Sequence, residues 1–133
     1  MEASAQYQVK YVSTDGDLVK MRCQGYGKKA KDVVMDAEVS AVKAALFQGI
    51  SGAGSYSSPL VPTTEAEAIK ANKKYFRNFY EGGFRLFIVA SEIVTPLKKD
   101  AAKRKSMTVD VTVNMRAMRE DLEKNGVIRK FGL

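Results

Sequence analysis

The stretch from Lys29 to Gln48 constrains the fold more than any other part of the sequence. It contains neither Gly nor Pro, and most of its residues favour a helix. Residues three and four apart share one helical face, and this spacing is followed by Val34, Ala37, Ala41, Ala44/Ala45 and Gln48. Because alanine dominates this face, the helix can lie close to its neighbour, and a flat β-sheet is the best-suited neighbour. The stretch therefore predicts a helix packed on a sheet.

Alternating side chains before this helix predict a β-hairpin with one solvent-facing side. Tyr7–Ser13 and Leu18–Gln24 each alternate apolar with polar residues, as half-buried strands do. Between them, Asp15-Gly16 is a strong hairpin-turn signal. The residues expected on the buried side are Tyr7, Val9, Tyr11, Val19, Met21 and Cys23.

The middle of the chain predicts a loop followed by a second helix. Ser51–Thr63 is rich in Gly, Ser and Pro, which indicates a loop that is long enough to be mobile or to bind a partner. Thr64 and Glu67 form the Thr-x-x-Glu capping box that opens a helix, and Gly82-Gly83 ends it. The expected buried face of this helix consists of Ile69, Asn72, Phe76 and Phe79/Tyr80.

The last part of the chain predicts two strands and a closing helix. Phe84–Val94 is rich in β-forming residues, and Thr95–Lys105 is a basic connection. Met107–Val113 alternates cleanly, Asn114 can cap a helix over Met115–Lys124, and Val127–Phe131 can add a short edge strand. The side chains that this helix is expected to bury are Met115, Met118 and Leu122.

Taken together, the elements have the order ββααββα. This order predicts an α+β fold with a mostly antiparallel sheet and helices packed on one face. We expect residues 1–133 to form a single domain, because the length is ordinary for one domain.

Composition excludes several function classes. The chain contains no histidine, which excludes Ser-His-Asp and Cys-His activation of a nucleophile and any zinc site that uses imidazole. Its single cysteine excludes an intrachain disulfide. No apolar run approaches the roughly 18–20 residues of a membrane span. The formal net charge of +7 favours acidic partners such as nucleic acid or another polyanion.

The first residues, MEASAQYQ, lack the basic start and apolar stretch of a signal peptide. Met1 is either a natural start or the replacement of a removed leader. The sequence therefore leaves two compartments open: periplasmic or envelope-associated if a leader was removed, and cytoplasmic otherwise.

A Gly-x-Gly turn precedes the helix predicted over Lys29–Gln48, and this turn has three possible interpretations. Gly25-Tyr26-Gly27-Lys28-Lys29-Ala30 fits the G-x-G-x-x-A spacing of dinucleotide-binding sites. The helix leads into a loop rather than a parallel strand, however, which disfavours that site. A looser anion site could use the turn amides with Lys28 and Lys29. The simplest interpretation is that Gly25 and Gly27 make a tight strand-to-helix turn.

Three further patterns could indicate chemistry. Ser40-Ala41-Val42-Lys43 matches the S-x-x-K motif of penicillin-recognising enzymes, but the companion motifs are missing. Asp32 and Asp36, four residues apart, could share a cation or simply complement the helix dipole. Cys23 alternates with apolar residues, so we interpret it as a buried side chain rather than a reactive thiol. We expect no catalytic residue, metal or cofactor.

Basic residues are concentrated in two further places, either of which could contact phosphates. One is a stripe on the second helix, formed by Lys70, Lys73, Lys74 and Arg77. The other is the connection after the third strand, with Lys98, Lys99, Lys103, Arg104 and Lys105. Such residues are commonly just solvated. The aromatic residues between Tyr75 and Phe87 could stack on bases, but their spacing fits a core cluster better.

Two segments of the chain together carry a resemblance to known domains. The first, VKMRCQGYGKKAKDVVMDAEVSAVKAALFQGI, has a strand that ends in Gly-x-Gly and a long alanine-rich helix. The second, MTVDVTVNMRAMREDLEKNG, has a strand followed by a helix. They resemble bacterial envelope lipoprotein domains of the flagellar-assembly and surface-lipoprotein kind, including the closing strand and helix of such domains, and more remotely curli-secretion lipoproteins. It implies a non-catalytic adaptor of an envelope assembly, although no lipid-attachment cysteine lies near the start.

These observations lead to two main hypotheses about function. The first is a non-enzymatic interaction module of a cell-envelope or secretion-related assembly. It would bind protein partners, or itself, and the expected contact surfaces are the Ser51–Thr63 loop, the basic stripe of the second helix and the edge strands. The second is a small nucleic-acid- or polyanion-binding protein that uses the basic stripe and the basic connection. A third, an enzyme acting on a phosphorylated small molecule, would require a pocket at Gly25–Lys29.

Overall fold

A computed structural model of the chain describes residues 7–99 and 104–129. Its strands are β1 (Val9–Asp15), β2 (Leu18–Gly27), β3 (Ile88–Lys99) and β4 (Lys105–Asn114). Its helices are α1 (Ala30–Lys43), α2 (Glu65–Ala71), α3 (Lys73–Glu81) and α4 (Met115–Lys124). The strands form a four-stranded antiparallel sheet in the order β1-β2-β4-β3. The α+β class and the order ββααββα are confirmed, with the second predicted helix divided into α2 and α3.

The predicted hairpin is confirmed, but its first strand is more exposed than expected. The turn between β1 and β2 contains Gly16 with φ of 63°. Val19, Met21 and Cys23 of β2 are fully buried, as predicted. Tyr11 of β1 is 36% exposed, so its predicted burial is wrong. The reason is its position at the edge of the sheet, since α1 packs over β2 and β4.

The alanine face of α1 packs on the sheet as predicted. Ala37, Ala41, Ala44 and Ala45 have no exposed surface. The predicted buried face is wrong at its two ends. At the first end Val33 is fully buried and Val34 only partly buried, and at the other end Gln48 is exposed. Val33 lies four residues before Ala37, which is one helical turn. At the other end α1 continues as a π-helical turn, Ala44–Gln48, and this wider turn rotates the last residue off the buried face.

The predicted loop Ser51–Thr63 is packed against the core. It contains a 3₁₀ turn, Gly54–Ser57, and it buries Tyr56, Leu60 and Val61. The N–H groups of Leu60 and Val61 donate to the carbonyls of Ala45 and Leu46, at 3.1 and 2.8 Å. The loop therefore satisfies two of the carbonyls that the end of this helix leaves without an intrahelical partner.

The second predicted helix is interrupted at Asn72. The capping box at Thr64 and Glu67 is confirmed and opens α2. Asn72 has φ of −137° and ψ of 51°, and its side-chain amide donates to the carbonyl of Ala68 at 3.0 Å. A short amide side chain that bonds to the backbone in this way competes with the helix. The predicted burial of Phe76 and Phe79 is confirmed.

The predicted bounds of the third strand are wrong at both ends. Gly83–Phe87 is a 3₁₀ turn, in which Phe84 and Phe87, three residues apart, are both buried. β3 then continues to Lys99, through part of the predicted connection, because Lys98 and Lys99 pair with the start of β4. Pro96 is tolerated there because β3 is an edge strand.

The end of the chain follows the prediction closely. β4 forms as expected, and Asn114 caps α4 by accepting from the N–H of Ala117 at 3.0 Å. α4 buries Met115, Met118 and Leu122. The predicted edge strand Val127–Phe131 is wrong over residues 127–129, which form no strand; the rest of it lies outside the described residues. No helix within the described part of the chain is long and apolar enough to cross a membrane.

Candidate functional site

The Gly-x-Gly turn is explained by close packing between β2 and α1. A Cβ atom on Gly25 would overlap the carbonyl oxygen of Val33, and one on Gly27 would lie 3.1 Å from the Cβ of Asp32. The N–H of Tyr26 donates to a carboxylate oxygen of Asp36 at 2.9 Å. Both glycines therefore permit the helix backbone to approach the strand, and Asp36 takes up a turn amide. This favours the structural interpretation of the turn over a nucleotide site.

The sheet nevertheless brings this turn next to the second predicted basic group. Gly27 of β2 lies opposite Lys105 of β4, which in turn lies opposite Lys99 of β3. The guanidinium of Arg104 lies 4.4 Å from the centre of the Tyr26 ring, a cation–π distance. A cavity of about 640 Å³ is lined here by Tyr26, Gly27, Lys28, Arg104 and Lys105. We call these five residues the basic end of the sheet.

Two other basic residues that the sequence predicted for binding, Lys29 and Lys103, do not line this cavity within the described part of the chain. Lys29 is the N-cap of α1, where its side chain makes no capping hydrogen bond and is exposed. Lys103 lies outside the described residues. The basic end is thus a union of two sequence groups that lie far apart in the chain.

The predicted basic stripe is split by the break at Asn72. Lys70 lies on α2, whereas Lys73, Lys74 and Arg77 lie on α3, and all four side chains are exposed. Lys73 and Lys74 line a cleft between α3 and α4, and the other two lie away from it. The stripe is therefore two separate surfaces.

A cluster of tyrosines around Glu65 has no counterpart in the sequence predictions. The Glu65 carboxylate accepts the hydroxyls of Tyr7 and Tyr80, at 2.9 and 2.8 Å, and pairs with the Lys43 ammonium at 3.2 Å. Lys43 also lies 4.8 Å from the centre of the Tyr80 ring. The lysine of the S-x-x-K motif is thereby engaged in an ion pair. Because Tyr7 lies 58 residues from Glu65, no local pattern could reveal this cluster.

Electrostatics in this cluster favour an ionised Glu65 between neutral tyrosines. Burial disfavours the charge of Glu65, but the hydrogen bonds from Tyr80 and Tyr7 and the ammonium of Lys43 outweigh it and lower its pKa. Burial, with the hydrogen bond to Glu65 and its charge, raises the pKa of Tyr7 to about 12. The same causes raise the pKa of Tyr80. The cluster joins the start of β1 to α1, α2 and α3.

Cys23 is fully buried within β2. Burial, followed by the negative charge of Asp110, raises the pKa of its thiol to about 12. A thiol that stays protonated is a poor nucleophile, which supports its interpretation as a core side chain.

An apolar surface on β3 is a second feature that the sequence did not predict. Val89, Ile93, Val94 and Leu97 are 53%, 58%, 41% and 38% exposed. We call these four side chains the β3 edge surface. Their β-forming character predicted a strand, but nothing local indicates that the strand lies at the edge of the sheet. Their exposure follows from that position, because α1 packs mainly on β2 and β4.

The backbone of β3 is irregular along this surface. Its pairing with β4 shifts register between Ile88 and Ala90, between Ile93 and Thr95, and between Thr95 and Lys98. Ala90–Ile93 is the longest stretch of β3 that pairs in an unbroken register, and Pro96 lacks an N–H. Bulges, proline and lysine are devices that blunt the pairing of an edge with another strand. A partner could therefore contact the side chains of this surface more readily than it could form a regular ladder of hydrogen bonds with the backbone of β3.

Comparisons of the chain with protein-family models, with curated proteins and with solved structures find no match.

Proposed function

We propose that this chain is a non-enzymatic protein-interaction module. Following the resemblance of its sequence, we place it in a bacterial cell-envelope or secretion-related assembly. The observation that carries the proposal is the β3 edge surface, where four apolar side chains are held in solvent along one strand.

The energetics of this surface support a protein partner. Complete burial of one such side chain contributes about 1.5–3 kcal/mol, so burying the exposed part of all four would contribute roughly 3–6 kcal/mol. Association itself costs at least about 4 kcal/mol of translational and rotational freedom, so further contacts with the partner must add to this contribution. The short regular run Ala90–Ile93 gives a partner strand a few backbone hydrogen bonds in addition.

Residues that could suggest chemistry have structural partners, which supports a module that binds rather than transforms. Lys43 pairs with Glu65, and Cys23 is buried with a raised pKa. Gly25 and Gly27 are required for the packing of α1 on β2.

The proposal is tested by site-specific photo-cross-linking in cells of the source organism. A benzophenone amino acid is placed at Ile93, with a matched probe at Val12 on the opposite edge, which is 40% exposed. We expect the Ile93 probe to give discrete cross-linked protein bands, which mass spectrometry identifies as another protein or a second copy of this chain. Equal or weaker cross-linking at Ile93 than at Val12 would overturn the proposal.

A second candidate function, polyanion binding, is favoured by the basic end of the sheet. Lys28, Arg104 and Lys105 converge there beside an aromatic ring, a combination that suits phosphates and stacked bases. The sequence suggested the basic connection and the helix stripe for this function, and the basic end contains residues of the connection but none of the stripe.

A salt titration of binding to single-stranded DNA tests this second candidate. We expect the double substitution of Arg104→Gln and Lys105→Gln to reduce the slope of log affinity against log salt by about 1.4, since each phosphate contact with a single strand contributes roughly 0.7. The matched control is Lys73→Gln with Lys74→Gln, which removes the same charge elsewhere. Absence of binding at low salt, or equal losses in both variants, would exclude the basic end as the site.

A further inference from the structure

An open cleft of about 730 Å³ lies between α3, the 3₁₀ turn Gly83–Phe87 and α4. This volume is within the range of roughly 300–1,000 Å³ that small-molecule sites occupy. One wall is aromatic: the rings of Tyr75 and Phe79 are stacked 5.8 Å apart, and those of Phe79 and Phe87 are stacked 6.2 Å apart. Tyr75 is half-buried and Phe79 and Phe87 are buried, so these rings form a firmly packed apolar floor of the cleft.

Leu86 extends this apolar wall to the mouth of the cleft. It is 83% exposed, more than any other large apolar side chain of the described residues. The 3₁₀ turn has three residues per turn, so that Phe84 and Phe87 point into the core together while Leu86 faces away from it. Leu86 therefore contributes little burial to folding and is available to a ligand in the cleft.

The charged side chains that line the cleft are Lys73, Lys74 and Asp121, which together leave a net positive charge there. The Tyr75 hydroxyl donates to the Asp121 carboxylate at 2.6 Å, and the side-chain amides of Asn72 and Asn125 donate to backbone carbonyls. These groups are engaged within the protein. Lys73 and Lys74 line the cleft, are exposed, and have no ion-pair partner within the part of the chain that the structure describes. They are the cations that a ligand would meet.

We infer that this cleft is a binding site for a small amphipathic anion, that is, a molecule with an aromatic or aliphatic body and a carboxylate or sulfonate group. The body packs on Leu86, Phe87 and Phe79, and the anionic group lies near Lys73 and Lys74. The inference is independent of the proposed protein-interaction function, because none of the four side chains of the β3 edge surface lines the cleft.

A pair of fluorescent probes tests both parts of the inference. 8-Anilino-1-naphthalenesulfonate has the aromatic body and the anionic group, and N-phenyl-1-naphthylamine has the body alone. We expect one saturable site that binds the sulfonate more tightly. Replacing Lys73 and Lys74 together by Gln should weaken the sulfonate roughly three- to tenfold, the size expected for exposed charges, and leave the neutral probe unchanged. Leu86→Asn should weaken both probes.

The matched control is Ile93→Asn, which removes an exposed apolar side chain of the β3 edge surface. It should leave the affinity of both probes unchanged. When the wild-type protein is titrated with the sulfonate, the changes in nuclear magnetic resonance chemical shift should be concentrated at the methyl groups of Leu86. Absence of saturable binding would overturn the inference. So would an equal loss of the sulfonate in Ile93→Asn and Leu86→Asn, or no loss when both lysines are neutralised. None of these results depends on whether β3 binds a protein partner.

Discussion

The two edges of the sheet differ in what covers them. β1 is short, and the segment after α1 lies beside it: a Cβ atom on Gly52 would lie 3.2 Å from the Tyr11 ring. The start of β1 is held by hydrogen bonds from Tyr7 to Glu65 and to Gln48. β3 is longer, and it exposes four apolar side chains along its length.

This difference separates two ways of managing an unpaired edge. β1 is flanked by other parts of the chain, and a register shift between Tyr11 and Ser13 makes its short ladder irregular. β3 is blunted by register shifts, Pro96 and the lysines at its end, while its apolar side chains stay available. An edge can thus be protected against indiscriminate strand addition and still keep an apolar contact surface.

The largest expected effect on the free energy of unfolding comes from displacing the segment after α1 that flanks β1. Gly49 has φ of 85° and ψ of 157°, a region essentially restricted to glycine, and a Cβ atom there would overlap the carbonyl oxygen of Ser57. We expect Gly49→Ala to lower the free energy of unfolding by at least about 3 kcal/mol, measured by urea denaturation. It should also increase hydrogen exchange in residues 51–58.

Gly54→Ala is the matched control, because Gly54 has φ of 62° but no atom lies within 4 Å of the added Cβ. It should cost only about 1–2 kcal/mol, the strain of the left-handed conformation. Similar losses for both variants would show that the close approach at Gly49 does not hold the flank in place.

A smaller effect is expected from releasing the start of β1. Glu65→Gln removes the charge that pairs with Lys43 and accepts two tyrosine hydroxyls. We expect a loss of about 1–2 kcal/mol at neutral pH, because the partly buried partners keep their polar groups. Tyr7 should then exchange its backbone N–H faster, whereas the N–H groups of β3 should be unaffected.

The same cluster predicts a pH dependence with a definite sign. The pKa of Glu65 is lower in the folded protein than its ordinary value of 4.5, so its stabilisation is present above that value and is lost as pH falls through the folded pKa. The difference in stability between the wild type and Glu65→Gln should therefore shrink between about pH 5 and pH 3. A constant difference over this range would show that Glu65 is not held as a carboxylate by its neighbours.

Local signals made much of this molecule predictable. The Thr64–Glu67 capping box, the Asp15-Gly16 turn and the Asn114 cap depend on hydrogen bonds between near neighbours, and they formed as expected. The alanines of α1 followed helical periodicity onto the sheet. These elements are determined by residues within a few positions of one another.

The surfaces were predictable only in part, because they depend on distant contacts. Nothing in the sequence near Gly27 or Lys105 indicates that these two residues lie opposite each other on adjacent strands. The edge position of β3 follows from the strand order, which periodicity does not encode. The break at Asn72 depends on a side-chain bond that a helical pattern conceals.

A weaker effect is expected from making the backbone of β3 regular. Pro96→Val with Lys98→Val adds one N–H donor and removes a charge from the edge, two of the features that blunt it. We expect the variant to self-associate at concentrations at which the wild type does not, as measured by sedimentation velocity. An unchanged sedimentation coefficient would show that the register shifts alone protect this edge.

The smallest effects on stability are expected from substitutions of single exposed side chains on the two edges. They test whether the apolar side chains of β3 serve partner binding rather than folding. Ile93 is 58% exposed and Val12 is 40% exposed, so Ile93→Thr and Val12→Thr should each change the free energy of unfolding by less than about 0.5 kcal/mol. Partner binding should nevertheless respond to Ile93→Thr alone, because Ile93 lies in the centre of the β3 edge surface and Val12 lies on the flanked edge. A stability loss for Ile93→Thr well above that of Val12→Thr would mean that the side chain serves the core. Its exposure would then no longer require a partner to explain it.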